Sequence, residues 1–357
     1  MKLAKTNIIH GALLAVALGF AWQTLTRKVA PDRPPGSVTL WGGSPAEIVS
    51  VHYESELPTE SRAIDVVRKD GYLWGVSKRT TKPPKPPVPP VPPPPAPGAP
   101  DAGTPVPAPE PPKQVEPVVT TREFTVGEAG TKLLEKLVPL VALRDLGKLD
   151  EARKKEYGLD APKGKLVVKR AGASHELIVG GNVFGGGDRY VLERSSGRVF
   201  VVADDAIRPL DTGEVTLPER KLHAFEPADI AEVLVQGGGK ERRVLRKTEP
   251  GKPKPIWSDA ATPAVEDQTL AAFMDRVSPL APLDYPSPAP TDAELTLVLK
   301  FTYRSAKSAE LGTTELYKKP ALKEGTFDWY VKSERTRVVA RVSAPVAERL
   351  EQDLASL

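Results

Sequence analysis

Apolar positions in the first third of the chain fall at Ile48, Val51 and Tyr53, then at Ile64, Val66 and Val67, then at Tyr72, Leu73, Trp74 and Val76, with polar residues between the groups. Alternation of this kind, broken by polar turns, predicts strands with one buried face, and Lys69-Asp70-Gly71 is the turn signal between them. From 127 to 138 the period lengthens. Leu133, Leu134 and Leu137 lie three and four apart and stop before Pro139, which predicts a helix. Four short apolar runs follow, Leu166-Val167-Val168, Leu177-Ile178-Val179, Tyr190-Val191-Leu192 and Val199-Phe200-Val201-Val202, with Ser195-Ser196-Gly197 as a hairpin turn. A short closing helix fits Asp204 to Leu210.

The same succession returns in the second half. Pro45 to Val51 corresponds to Pro227 to Val233, Leu133 to Leu140 to Phe273 to Leu280, and Asp188 to Val191 to Asp328 to Val331. The first match has an offset of 182 and the other two share 140, so about 42 residues stand additionally in the first half. The remaining strands are expected at Ile230, Val233 and Val235, at Val244-Leu245, and around Trp257 in the place of Trp74. Further strands are expected at Leu295 to Leu299 (matching Leu166 to Val168), Glu315 to Tyr317, Trp329 to Val331 and Val338 to Ala340. A helix over 265–277 and a closing helix from Ala344 to Leu357 complete the set. Consecutive strands joined by short turns are antiparallel. The expectation is therefore an α+β protein: two tandem β-β-α-β-β-β-β-α units with antiparallel sheets, at 36–216 and 217–357, preceded by one transmembrane helix.

The extra residues of the first half are Pro-rich. Eighteen of the 39 prolines lie between Pro83 and Pro117, so 81–119 reads as a polyproline, core-less and disordered insert: a tolerated loop expansion, or a ligand for a groove-type partner. At the amino terminus Lys2 and Lys5 precede an apolar run from Ile8 to Trp22, about 27 Å of helix when continued to Leu25 at ~1.5 Å per residue. The bulky exit at Phe20-Ala21-Trp22 suits an uncleaved anchor over residues 1–30 better than a cleaved signal peptide. Fifty basic and 46 acidic residues are interspersed, which argues against a nucleic-acid surface. Cysteine is absent, which removes disulfides, thiolate metal sites and cysteine nucleophiles.

Chemistry-bearing residues are scattered. The glycine-rich run Gly180 to Gly187 lacks Gly-Lys-Ser/Thr and leads into a strand, so it reads as a hairpin loop and not a phosphate cradle. His52, His175 and His223 are isolated from other ligands, and Ser174-His175 is a mere adjacency. Asp204-Asp205 reads as a helix cap, and Asp145, Asp150 and Glu151 as a solvated face. Tyr190, Tyr330, Trp74, Trp257 and Trp329 recur at matched places and are read as packing residues, the alternative being an exposed aromatic strip. No catalytic, cofactor-binding or metal residue is expected, and no cofactor.

Glu156-Tyr157-Gly158-Leu159-Asp160-Ala161-Pro162, the strand from Leu166 to Lys169, the stretch from His175 to Glu193 and the stretch from Gly197 to Leu210 together resemble the DUF4340 family. The resemblance covers 120–215 directly and the rest through the repeat. It implies a membrane-anchored extracytoplasmic domain, often encoded beside ABC transporter subunits of the gliding-motility type. The functional expectation is thus a non-enzymatic accessory or scaffold subunit of an ABC transporter-like complex, single-pass in the inner membrane with its bulk in the periplasm. An alternative is an envelope-spanning coupling protein that uses the Pro-rich segment to reach a cell-wall or outer-membrane partner.

Overall fold

A computed structural model describes residues 36–82, 117–248 and 254–354. The architecture is mostly antiparallel β with a few helices, arranged around two antiparallel sheets. The first contains β1 (Val38–Trp41), β2 (Ile48–Glu56), β3 (Glu60–Lys69), β4 (Tyr72–Thr81), β5 (Val118–Thr125), β6 (Leu140–Gly147), β7 (Gly164–Arg170), β8 (Ala173–Asn182), β9 (Arg189–Glu193) and β10 (Arg198–Val202). Their order is β1-β6-β10-β9-β8-β7-β2-β3-β4-β5. Helices α1 (Glu128–Leu137), α2 (Glu151–Glu156), α3 (Arg208–Asp211) and α4 (Gly213–Thr216) belong to this half. The second sheet contains β11 (Glu232–Gly237), β12 (Lys240–Lys247), β13 (Ile256–Asp259), β14 (Thr296–Arg304), β15 (Glu310–Pro320), β16 (Phe327–Ser333) and β17 (Ala340–Arg341) in the order β13-β12-β11-β14-β15-β16-β17. Helices α5 (Gln268–Val277) and α6 (Ala344–Leu354) accompany it.

The two sheets follow one route. The run β10-β9-β8-β7-β2-β3-β4 of the first is the run β17-β16-β15-β14-β11-β12-β13 of the second. Registers agree as well: Val51 faces Val66 across β2 and β3 as Val233 faces Val244, and Val191 faces Phe200 as Val331 faces Ala340. The isolated bridge from Asp284 to Arg341 stands where Arg144 meets Val201, again an offset of 140. A bulge between Ile48 and Ser50 explains why Ile48 and Val51 share the buried face despite a spacing of three. Helices α1 and α5 bury the matched triplet, Leu133, Leu134 and Leu137 in α1 and Phe273, Met274 and Val277 in α5.

Several expectations are corrected. The two strands expected before the helix are three in the second half, β11 to β13, and three among the five of the first, β2 to β4, because Tyr72 to Thr81 and Ile256 to Asp259 each form a strand of their own. Val38–Trp41, Val118–Thr125 and Leu140–Gly147 are additional strands of the first sheet. Their short or charge-rich sequences carry no clean alternation. The Pro-rich segment is narrower than 81–119, since Thr81 ends β4 and Val118 begins β5 and the two pair directly. Trp257 stands where Leu73 does, not Trp74: Trp257 pairs with Arg246 as Leu73 pairs with Arg68. The connections before these strands differ in length, and a slip of one residue exchanges the faces of a strand. Likewise Phe301, not a residue of Leu295–Leu299, takes the position of Leu166, since they face Val235 and Tyr53 respectively.

The core is continuous across the halves. At the junction Phe124 lies against Tyr285, whose hydroxyl donates to the Glu219 carbonyl at 2.9 Å. The buried Glu219 carboxylate accepts from Arg335 at 2.8 and 2.6 Å and from the backbone N–H groups of Arg220 and Lys221. Thr125 donates to the Thr336 carbonyl at 2.7 Å. Among the described residues no helix is long and apolar enough to cross a membrane. The expected anchor over 1–30, the greater part of the Pro-rich segment and the final residues 355–357 lie outside the described residues.

Candidate functional site

The residues that drew chemical interest resolve into packing and ion pairs. Gly180 and Gly181 close β8 beneath the turn Tyr157-Gly158-Leu159, with the Gly181 N–H donating to the Tyr157 carbonyl at 2.8 Å. A Cβ on Gly180 would come within 2.6 Å of that carbonyl, and Gly158 adopts φ of +68°, so both glycines are required by a close approach or by backbone sterics. Tyr157 stacks on Tyr190 with ring centroids 4.1 Å apart. The Tyr-Gly-Leu turn, the glycine pair and the Tyr-Val strand are therefore one local structure. Gly185 to Gly187 form the tip of the β8–β9 hairpin, as expected.

The histidines occupy three unrelated places. His52 lies between Asp65 and Glu54, 2.7 Å from each. His175, in β8, stacks on Trp41 and faces Arg170 at 2.9 Å; burial and the neighbouring guanidinium hold it below the usual imidazole range. His223 contacts Glu334 at 2.9 Å and Thr314 at 2.9 Å while stacking on Phe225. Among the described residues no group of three or more His, Asp or Glu side chains could hold a metal ion. Asp204 and Asp205 do not cap a helix. They lie inside the turn Asp204–Ala206, whose cap position is Ala203, and pair with Arg208 at 3.1 Å and Lys136 at 2.9 Å. Asp150 is the side chain that caps, accepting from the Arg153 N–H at 2.8 Å. Asp145 accepts from Arg198 at 2.7 Å, which holds its carboxyl below the usual range. Trp257, Trp329 and Tyr330 are buried in the core, whereas Trp74 and Tyr190 are half-buried.

A cavity of about 570 Å³ in the second half brings together residues that the sequence kept apart. It opens between the stretch Arg220–Pro227, the helix α5 and the residues Arg246, Trp257 and Tyr303 of β12, β13 and β14. Its walls are apolar and aromatic: Phe225, Ile230, Trp257, Met274, Val277 and Tyr303. That volume lies within the ~300–1,000 Å³ of small-molecule sites, and such sites combine apolar walls with a few placed polar groups. The placed group here is Arg246. It follows Val244 by two residues on β12, so the strand period turns it to the core side. Among the described residues its side chain bonds only the Thr248 hydroxyl, at 3.3 Å, and burial pulls its pKa below the usual guanidinium range. An arginine remains protonated nonetheless. Burial also pushes the Tyr303 hydroxyl up to about 12, leaving it neutral.

The other charges of the lining are placed differently. Arg220 is engaged with the carbonyls of Pro282, Leu283 and Val215, and Lys221 with Glu128 at 3.4 Å. Glu226 and Asp275 are exposed at the mouth, Asp275 lying 3.4 Å from Lys254. Sequence reasoning placed Met274 and Trp257 in the core and did not single out Arg246. The available signal was an arginine two residues beyond a buried valine on an alternating strand.

A protein-family model described as a domain of unknown function, DUF4340, matches residues 139–297. The match runs from Pro139, two residues past the end of α1, through β6 to β13 and into β14, so it crosses from one sheet to the next. No curated protein and no solved structure matches the chain.

Proposed function

We propose that this chain, whose residues 139–297 form a DUF4340 domain, is a non-enzymatic accessory or scaffold subunit of an ABC transporter-like envelope complex, anchored in the inner membrane through residues 1–30 with its folded part in the periplasm. Its two modules, 36–216 and 217–357, are duplicates of one unit in this reading. The observation that carries it is the shared strand order and register of the two sheets, combined with ionisable side chains engaged in ion pairs and turns. A duplicated scaffold whose matched residues are packing residues is suited to presenting surfaces. The two groups with shifted pKa values that share the cavity, Arg246 and Tyr303, both stay protonated, which suits binding rather than proton transfer. The apolar run Ile8 to Trp22, flanked by Lys2 and Lys5, supports the anchor and its orientation.

The coupling alternative is weaker on geometric grounds. Thr81 and Val118 are paired neighbours, so the Pro-rich segment leaves and returns at one point. Even fully extended at ~3.1 Å per residue, it would project only about 55 Å. The test is a pull-down of the tagged full-length chain from detergent-solubilised membranes. Transporter permease or ATPase subunits are expected among the recovered proteins, and recovery without any of them would overturn the assignment. A reporter active only outside the cytoplasm, fused after Leu357, should be active; silence there would overturn the topology.

A further inference from the structure

The two halves offer an internal comparison at the cavity. In the first half the space between the turn 45–47, α1 and the inward sheet face is closed: β1 pairs with β6, and Trp41 is buried beside the helix with its indole donating to the Leu137 carbonyl at 2.8 Å. Offset 182 puts His223 in the place of Trp41 and Arg220–Leu222 in that of β1. His223, a smaller ring, is drawn instead to Thr314 and Glu334, and Arg220 caps the carbonyls of Pro282 and Leu283 where β1 would have paired. The counterpart of Arg246 is Arg68, which is exposed and reaches the Pro45 carbonyl. In the second half the turn has withdrawn from the helix, and the arginine faces the resulting space.

We infer that this cavity is a binding site for a small amphiphile with an apolar or aromatic body and one anionic group, the body lying among Phe225, Ile230, Trp257 and Met274 and the anion meeting Arg246. The walls favour an apolar body because they have already lost contact with water on most sides, and filling the cavity recovers the dispersion contacts an empty one forgoes. They favour an anion because a half-buried guanidinium bonded, among the described residues, only to a hydroxyl has forfeited hydration without gaining a carboxylate. Of the cations in the lining, Arg220 is engaged with backbone carbonyls and Lys221 with Glu128, which leaves Arg246 to meet the ligand and fits a single negative group beside an apolar moiety. A neutral or cationic ligand would leave the half-buried Arg246 with only the Thr248 hydroxyl among the described residues.

The probes are 1-anilinonaphthalene-8-sulfonate and N-phenyl-1-naphthylamine, which share an aromatic body and differ in the sulfonate. Each would be titrated by fluorescence into the purified full-length chain, its Arg246→Gln and Arg246→Lys variants, and Met274→Trp, which fills the cavity. The sulfonate probe should bind the natural chain, weaken about tenfold in Arg246→Gln and recover in part in Arg246→Lys, while the uncharged probe is unaffected by either. Met274→Trp should abolish the binding of both. Equal affinity of the sulfonate probe for the natural chain and Arg246→Gln would overturn the role of the arginine. Undiminished binding in Met274→Trp, or no binding to the natural chain, would overturn the site. Melting curves of each variant show whether a loss reflects unfolding, and the uncharged probe keeps Arg246→Gln informative, since an unfolded variant would lose both.

Discussion

His52 shows how a single ring can make stability depend on pH. Burial disfavours its charged form, but hydrogen bonds and charge from Glu54 and Asp65 outweigh that, and its pKa is raised above 6.5. A folded-state pKa above the unfolded one contributes stability that is fully present below the unfolded value and lost as pH rises through the folded value. His52→Gln should therefore destabilise at pH 5.5 and cost little at pH 9, by less than about 1 kcal/mol because the partners are solvated. Urea unfolding at the two pH values measures it, and a cost independent of pH would refute the assignment. Gly75 illustrates steric necessity: it pairs with Phe124 across β4 and β5, and a Cβ would come within 2.2 Å of the buried ring. Gly75→Ala should lower stability by about 1–3 kcal/mol through overpacking. Gly42→Ala, at a site with nothing within 4 Å, should be close to neutral, and equal losses in the two would show that Phe124 moves aside freely.

At the scale of elements, α1 and α5 bury matched faces: Leu137 and Val277, 140 residues apart, lie under their respective sheets. An aspartate at either position buries a carboxylate without a partner, which must be protonated or drag the helix out. Leu137→Asp and Val277→Asp should each destabilise by several kcal/mol. Lys136→Gln, exposed and losing only its pair with Asp205, should cost less than about 1 kcal/mol. Chemical denaturation of the three variants decides the matter: tolerance of aspartate at one core position but not the other would mean the helices are not equivalent. The existence of both helices was legible because their apolar spacing is purely local. The strand registers were not, since β12 and β13 are joined by a longer connection than β3 and β4, and alternation says which residues share a face but not which residue lies opposite.

At the scale of the whole molecule, two features separate what can be removed from what cannot. The paired ends Thr81 and Val118 define a hairpin into which the Pro-rich segment is spliced. Replacing residues 83–116 by a four-residue Gly-Ser linker should leave the fold intact and stabilise it by no more than about 2 kcal/mol, the loop-closure gain. A large fall in melting temperature would mean that the segment packs on the sheets. The Glu219–Arg335 pair, in contrast, is buried in the second half at its junction with the first, where the Glu219 N–H donates to the Thr125 carbonyl at 2.8 Å. Glu219→Ala removes the carboxylate acceptor of Arg335 and of two backbone N–H groups, with an expected loss of about 3–5 kcal/mol. If the halves unfold independently, the transition of this variant should split in two; a single, unshifted transition would show that the junction does not depend on the pair.

What the sequence by itself determined is whatever depends on local periodicity and on repetition: the α+β class, the helices α1 and α5 with their buried triplets, and the correspondence of Asp188–Val191 with Asp328–Val331, which the registers of β9 and β16 reproduce. Local period suffices there because a buried face imposes it residue by residue. Tertiary structure decided the added strands β1, β5 and β6, since their stability comes from neighbours far along the chain and not from their own pattern. It also decided the cavity. Arg246, Phe225 and Met274 meet only because the segment before β11 fails to close over α5 as β1 closes over α1. A volume left between elements has no signature in any one of them.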